Sequence, residues 1–287
     1  MKTRSAVPSR RQMLLLGAAA LSAAVIPGYG VADDNDTHSD YDENSTYEGA
    51  RNTRFELANT GLRGRVVVIG GGMAGATAAK YLRLWGGAEL QVTLDEPRPV
   101  YTSNIMSNLV LNNSRSLSSL DFGYSDLGTK YGVVMRSAAV TSLDTAARQV
   151  KLSDGSTLAY DRLVLAPGVE FMGAYGLSSA DYDRKTPHAW SAGAQTALLR
   201  QQLADMPADG QFVLTIPKRP YRCPPGPYER ACLVADDFKR VKGARAKVII
   251  LDENASIQAE GETFTYAFNT LHAGVFDDRP GVSGLEI

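Results

Sequence analysis

Apolar residues fall along this chain in short runs broken by glycine, proline and polar clusters. Arg65-Val66-Val67-Val68-Ile69, Leu90-Gln91-Val92-Thr93-Leu94, Phe212-Val213-Leu214-Thr215-Ile216 and Lys247-Val248-Ile249-Ile250-Leu251-Asp252 read as buried strands. Helix-period stretches separate them in pairs, about residues 76–84 and 228–241. A strand, a crossover helix and a second strand at this spacing predict parallel pairing with a right-handed connection, and the arrangement occurs twice. Val133-Val134-Met135, Val140 to Leu143, Val150 to Leu152 and the Asp154-Gly155 turn predict a small antiparallel meander. It returns the chain through a buried strand that ends at Ala166-Pro167-Gly168. Beyond Asp252 the remaining 35 residues are weakly patterned, and no further strand is expected there.

The first 62 residues differ from the rest. Arg10-Arg11 precedes an apolar run from Met13 to Ile26, with a small-residue cleavage site after Gly30-Val31-Ala32, so residues 1–32 read as a twin-arginine export signal. Fourteen apolar residues are too few for a bilayer of roughly 30 Å, which predicts a periplasmic protein with no stable membrane anchor. Residues 33–62 carry eight acidic and two basic side chains among Asn, Ser and Thr, the composition of a disordered linker. Without the four basic residues of the signal the chain has 26 basic and 31 acidic residues, and the body beyond the linker is nearly neutral. That balance gives no electrostatic footprint for nucleic acid. Two cysteines and three scattered histidines supply no metal-ligand pattern, and Cys223 and Cys232 are not spaced to bond each other directly along one helix.

Two loops carry candidate chemistry. The first strand runs into Gly70-Gly71-Gly72-Met73-Ala74-Gly75, where Gly70, Gly72 and Gly75 satisfy G-x-G-x-x-G between a strand and a helix. About 20 residues on, the second strand ends in Asp95-Glu96. A carboxylate there binds ribose hydroxyls, and Glu96 is favoured because Pro97 follows it. Gly168, at the carboxyl end of the returning strand, faces the same crevice. Dinucleotide binding is the reading, and a Gly-rich turn without ligand is its alternative. The expected class is α/β, with two Rossmann-like dinucleotide-binding-type domains at residues 63–170 and 171–287.

The second loop, Arg222-Cys223-Pro224-Pro225-Gly226-Pro227-Tyr228-Glu229-Arg230, sits where the second unit would cradle a pyrophosphate. Its prolines remove N–H donors, so it presents a thiol before a helix N-terminus instead. Such a position lowers a thiol's pKa, and Arg222 and Arg230 add to the effect. A buried, inert Cys223 is the alternative. Glu229 complements the helix dipole and is also a candidate acid or base, while Cys232 falls on an apolar helix face.

Together with Pro187-His188-Ala189-Trp190 and Lys247 to Asp252, this loop resembles the flavoprotein subunit of flavocytochrome c sulfide dehydrogenase, over about residues 63 to 255. The resemblance implies FAD, sulfide as substrate, a redox-active cysteine pair and a c-type cytochrome subunit. Cys223 then matches one member of the pair and Glu229 a candidate acid/base; His188 and Trp190 match the pattern without a chemical role. Where the family carries a cysteine linked to FAD this chain has Asn104, so noncovalent FAD is expected. The second redox cysteine and the late strand-Gly-Asp segment are absent, and the chain reads as C-terminally truncated, without turnover by itself. An NAD(P)H- or quinone-linked flavin oxidoreductase of the same fold, and an inactive fragment, are the rival readings.

Overall fold

The computed structural model describes residues 56–243 and 245–285, so the expected export signal and most of the acidic tract lie outside the described residues. Strand β1 (Gly64–Ile69) is the axis of the first half. Its Val66, Val67 and Val68 are all buried because neighbouring elements cover both faces of the sheet. Helix α1 (Met73–Gly86) follows, then β2 (Leu90–Asp95), β3 (Val100–Thr102), α2 (Asn108–Leu111), a 3-10 turn (Leu117–Leu120), β4 (Asp121–Gly123), α3 (Ser125–Tyr131) and β5 (Val134–Arg136). Strands β6 (Val140–Asp144), β7 (Gln149–Leu152) and β8 (Thr157–Ala159) lead into β9 (Arg162–Leu165). The parallel sheet has the order β5-β2-β1-β9, and β6-β7-β8 forms an antiparallel meander.

The period-2 alternation of β1 divides its core. Val66 and Val68 pack with Ala79 of α1 and with Leu90, Val92 and Leu94 of β2. Val67 faces the other way, onto Val150 and Leu152 of the meander. One sequence expectation is corrected here: Val134 and Met135 do not open the meander but pair in parallel with Thr93 and Leu94. A three-residue strand at a sheet edge has too little pattern to reveal its partner. The described end of the expected linker is also part of the fold. Ala58 donates its N–H to Leu84 O (3.0 Å) and the Thr60 hydroxyl donates to Gly86 O (2.5 Å), which ties this stretch to the end of α1.

The second half contains α4 (Ser179–Arg184), α5 (Ala194–Asp205), β10 (Gln211–Ile216), α6 (Gly226–Asp237), β11 (Lys247–Asp252), α7 (Gly261–Tyr266) and β12 (Phe276–Pro280). A π-helical turn over Phe238–Lys242 extends α6, and another over Ala267–Leu271 extends α7. All three strands are parallel, in the order β10-β11-β12. The segment after Asp252, expected to be unpatterned, thus supplies a further helix and a third strand. Phe276-Asp277-Asp278-Arg279-Pro280 carries one apolar residue and three charges, which hid it from a hydrophobic-run search. The core of this half takes Tyr228, Ala231, Val234, Ala235 and Phe238 from one stripe of α6, and Leu111 from α2 of the first half.

Two glycines of the first loop are dictated by packing. A Cβ on Gly75 would lie 1.8 Å from Gly70 O, and one on Gly70 (φ +95°) would lie 2.2 Å from Ala166 O. Gly75→Ala is therefore expected to destabilise the fold by about 3 kcal/mol, lowering the melting temperature by roughly 6–12 °C in a thermal scan. An unchanged melting temperature would show that the helix does not approach the strand this closely.

Candidate cofactor cradle and thiol loop

The carboxyl ends of β1, β2 and β9 open onto the glycine loop. A Cβ on Gly72 would meet only Tyr101 Cε2, at 3.9 Å, so unlike its neighbours this glycine faces open space at the start of α1. There the first N–H groups of the helix, including those of Met73 and Ala74, lack intrahelical acceptors and point outward with the positive end of its dipole. Met73 and Ala74 are exposed, and Gly168 (φ +78°) is exposed at the end of β9. Glu96 is buried directly beneath the loop and accepts a hydrogen bond from Gly71 N through Oε2 (2.9 Å). Burial raises the pKa of its carboxyl, but hydrogen bonds from Arg98 and from the Gly71 and Arg98 amides outweigh that and hold it below the usual range. The structure thus brings Gly70, Gly72, Met73, Ala74, Gly75 and Glu96 together in one cradle, with an ionised carboxylate at the position where a ribose diol would donate. This donor set fits a dinucleotide such as FAD.

Asp95 differs from its neighbour. It is 1% exposed, and its Oδ1 has no hydrogen-bond partner among the described residues. Burial pushes its pKa up to about 6, against the opposing effects of the Ala138 amide and the Arg136 charge. Asn104, at the expected flavin-linking position, accepts a hydrogen bond from Ala192 N (2.6 Å) and so bridges the two halves.

In the second half, nine residues separate β10 from α6, where three separate β1 from α1. Cys223 lies in this longer loop, exposed and in the left-handed region (φ +54°), a costly conformation for a residue other than glycine. Its carbonyl accepts the Gly226 N–H (2.9 Å), a turn that starts the helix. The Sγ lies 3.2 Å from where a Gly226 Cβ would be, and Trp190 Cζ3 lies 3.5 Å from the same point. The bare backbone of Gly226 is what admits both thiol and indole. Glu229 is exposed on the first turn of α6, and its carboxylate takes no hydrogen bond among the described residues. Cys232 is half-buried, and burial, then the Glu229 charge, pushes its thiol up to about 11. Both cysteines are free.

The loop is anchored by contacts that sequence reasoning passed over. Asp252, buried at the end of β11, accepts from the Tyr228 hydroxyl through Oδ2 (2.6 Å) and from Asn254 N and Nδ2 through Oδ1 (2.8 Å each). Asn254 also donates to Pro217 O and accepts from Arg219 N, fixing the start of the thiol loop. The D-x-N spacing at a strand end was the available signal. The partners of Arg230 carry no such signal. Its fully buried guanidinium donates through Nε to Asn108 Oδ1 (3.0 Å), through Nη2 to Ala189 O (2.9 Å) and through Nη1 to His188 O, and stacks on the Trp190 ring with Cζ 3.5 Å from the centroid. Burial pulls its pKa down to about 9.

No group of three or more metal-ligating side chains occurs among the described residues, and no described helix is long and apolar enough to cross a membrane. Residues 64–190 match the model of the pyridine nucleotide-disulphide oxidoreductases, and residues 196–286 match that of the central region of the sulfide dehydrogenase [flavocytochrome c] flavoprotein chain. A curated relative, the ferredoxin--NAD(+) reductase component of the biphenyl dioxygenase system of Paraburkholderia xenovorans, is 33% identical over 104 residues, covering 36% of this chain and 26% of that protein. Among solved structures, the sulfide:quinone oxidoreductase of Aquifex aeolicus superposes with a TM-score of 0.61 at 22% identity, covering 78% of this chain and 52% of that one. The NAD-dependent persulfide reductase of A. fulgidus superposes with a TM-score of 0.55 at 17% identity, covering 78% and 41%.

Asp95 gives a test of the cradle's electrostatics. A carboxyl whose pKa rises on folding binds its proton more tightly in the native state, so stability falls as pH rises from about 4 through about 6 and stays lower above. Asp95→Asn keeps the acceptor for Ala138 and removes the charge. It is expected to flatten that pH dependence and to stabilise the protein by about 2 kcal/mol at pH 7, measured by urea unfolding. A destabilised Asn variant with the slope intact would show that the ionised Asp95 is held favourably.

This chain spans about a quarter of the curated relative and about half of the solved structures it resembles; its two matched regions are joined in one α/β molecule with the Rossmann-like fold of FAD- and NAD-linked oxidoreductases.

Proposed function

We propose that this chain is the flavoprotein part of a periplasmic, FAD-dependent sulfide dehydrogenase that delivers electrons to a c-type cytochrome. The observation that carries this reading is the exposed Cys223 thiol standing at the start of α6, where a dinucleotide-binding unit would place its glycine loop. The family match over residues 196–286 supports it. FAD would be held noncovalently by the open face of Gly72, the first-turn amides at Met73 and Ala74, Gly168 and the Glu96 carboxylate, and when bound supplies a two-electron acceptor.

The chain's own contribution is the sulfur chemistry. Sulfide attacks Cys223 Sγ within a disulfide; the new S–S bond makes a persulfide on Cys223, and the old S–S bond breaks to release the other sulfur as a thiolate. Burial, then the Glu229 charge, pushes the half-buried Cys232 thiol up to about 11, which makes it a poor leaving thiolate, and we assign the other sulfur elsewhere. The step therefore takes a second thiol, in disulfide linkage with Cys223, as its co-reactant. Glu229 is the acidic residue of the first turn of α6 and is assigned the proton shed by the attacking sulfide.

A pyridine-nucleotide-linked reductase is the second reading, favoured by the names of several relatives. Against it stands the loop before α6, where Pro224, Pro225 and Pro227 remove N–H donors that a second nucleotide's pyrophosphate would need.

The tests follow from these assignments. Acid precipitation of the FAD-loaded protein is expected to leave the flavin in the supernatant. With Cys223 converted to a mixed disulfide by a small thiol, sulfide is expected to release that thiol and add one sulfur to Cys223, as read by mass spectrometry. Cys223→Ser removes the product and Cys232→Ser preserves it. NADH that reduces the bound flavin as fast as sulfide does, or a persulfide found equally on Cys232, would overturn the reading.

A further inference from the structure

Arg230 is a buried cation held only by neutral groups. Among the described residues no carboxylate lies within ion-pair distance of it; its partners are the Asn108 amide oxygen, the carbonyls of His188 and Ala189, and the face of Trp190. Taking a guanidinium out of water costs several kcal/mol unless an interaction compensates. The backbone is bent to serve it: Ala189 adopts a positive φ (+49°) that lets two successive carbonyls converge on the guanidinium. His188 is wedged between Phe171 and Tyr182, and its Nδ1 accepts the Trp190 N–H (3.1 Å), so the turn is fixed on both sides.

Trp190 carries this cation and converges with the thiol on Gly226. Its face carries the guanidinium, while its edge atoms Cζ3 and Cη2 are 3.5 and 3.6 Å from the Cβ position of Gly226, the point that Cys223 Sγ approaches to 3.2 Å. Gly226 and Arg230 are four residues apart, on one face of α6. An aromatic ring is negative on its face and positive at its edge, so a cation on the face and an anion at the edge are both favourable placements.

We infer that Arg230, acting across Trp190, is the positioning residue that stabilises the anionic form of the Cys223 sulfur, thiolate or persulfide. The inference rests on the proposed role of Cys223 and extends it to His188, Ala189 and Trp190, whose task is to hold the cation and the ring in line. The other charged and titratable groups near the thiol are Tyr221 and Arg222 on its own loop, Glu229 on the first turn of α6, and His188 behind the indole. Arg222 is exposed, so salt screens it. Arg230 is not, and its effect persists at high ionic strength.

The test is the pH profile of Cys223 alkylation by iodoacetamide, read by mass spectrometry with Cys232 as internal control and with no sulfide present. Arg230→Met is expected to slow alkylation at neutral pH about three- to tenfold and to move the midpoint of the profile upward, in low and high salt alike. Arg230→Lys, which keeps the charge, restores most of the rate. Arg222→Met slows the reaction at low salt only. If Arg230→Met does not fold, Trp190→Leu, which removes the ring and leaves the cation, is expected to give the same upward shift. A folded Arg230→Met or Trp190→Leu protein with an unchanged profile overturns the inference. Because no sulfide enters the measurement, failure of persulfide formation alongside a shifted profile would fall on the proposed function and not on Arg230.

Discussion

The burial of Arg230 constrains much of the molecule around it. A guanidinium without a counter-charge is tolerable in a protein interior only where its donors are satisfied, and the partners here come from two separate places: α2 of the first half, and the 188–190 turn with its two carbonyls and the ring of Trp190. Satisfying one side chain therefore fixes how the first half meets the second. Leu111, at the end of the same α2, fills the core under α6, and Arg200 donates to its carbonyl (2.7 Å) while pairing with Asp237 (3.2 Å). Apolar burial supplies the bulk of the driving force at this junction, and the arginines give it one register.

The two β-α-β units are built alike and put to different uses. In the first, a three-residue glycine loop brings the helix start against the strand end, and Glu96 waits beneath it with Gly72 open above. In the second, a nine-residue loop fills the corresponding space, Tyr228 reaches from the helix to close off Asp252, and a thiol is left outside. Crevices at the carboxyl ends of parallel strands are where α/β proteins bind ligands. Gly72 leaves the first crevice open at the helix start, and prolines take the corresponding place in the second, where they remove amide donors. That difference is the physical ground for preferring thiol chemistry over a second nucleotide.

Much of this was visible in the sequence, for reasons that differ by element. The runs at Val66 to Val68 and Val248 to Ile250 announce strands because central parallel strands are apolar on both faces. The G-x-G-x-x-G spacing is legible because Gly70 and Gly75 each answer a local steric demand, and Glu96 because its distance from that motif is set by one helix and one strand. Strand β12 escaped notice because an edge strand with three charges carries no alternating signal. Val134 was assigned to the wrong sheet because three residues cannot specify a partner.

What the sequence determined by itself is the set of local facts: strand, glycine turn and helix in order, an acidic strand end, and a proline-stiffened loop that carries a cysteine before a helix. Each depends on residues within a few positions of one another, where backbone sterics and hydrogen-bonding period decide the outcome. The tertiary structure decided which of these local pieces act together. His188, Ala189 and Trp190 stand about 40 residues from Arg230, and Asn108 more than 120, yet all meet on one guanidinium. Tyr228 and Asp252 met only once α6 packed over β11. Such contacts arise from the folding of whole layers onto each other, and no spacing along the chain encodes them.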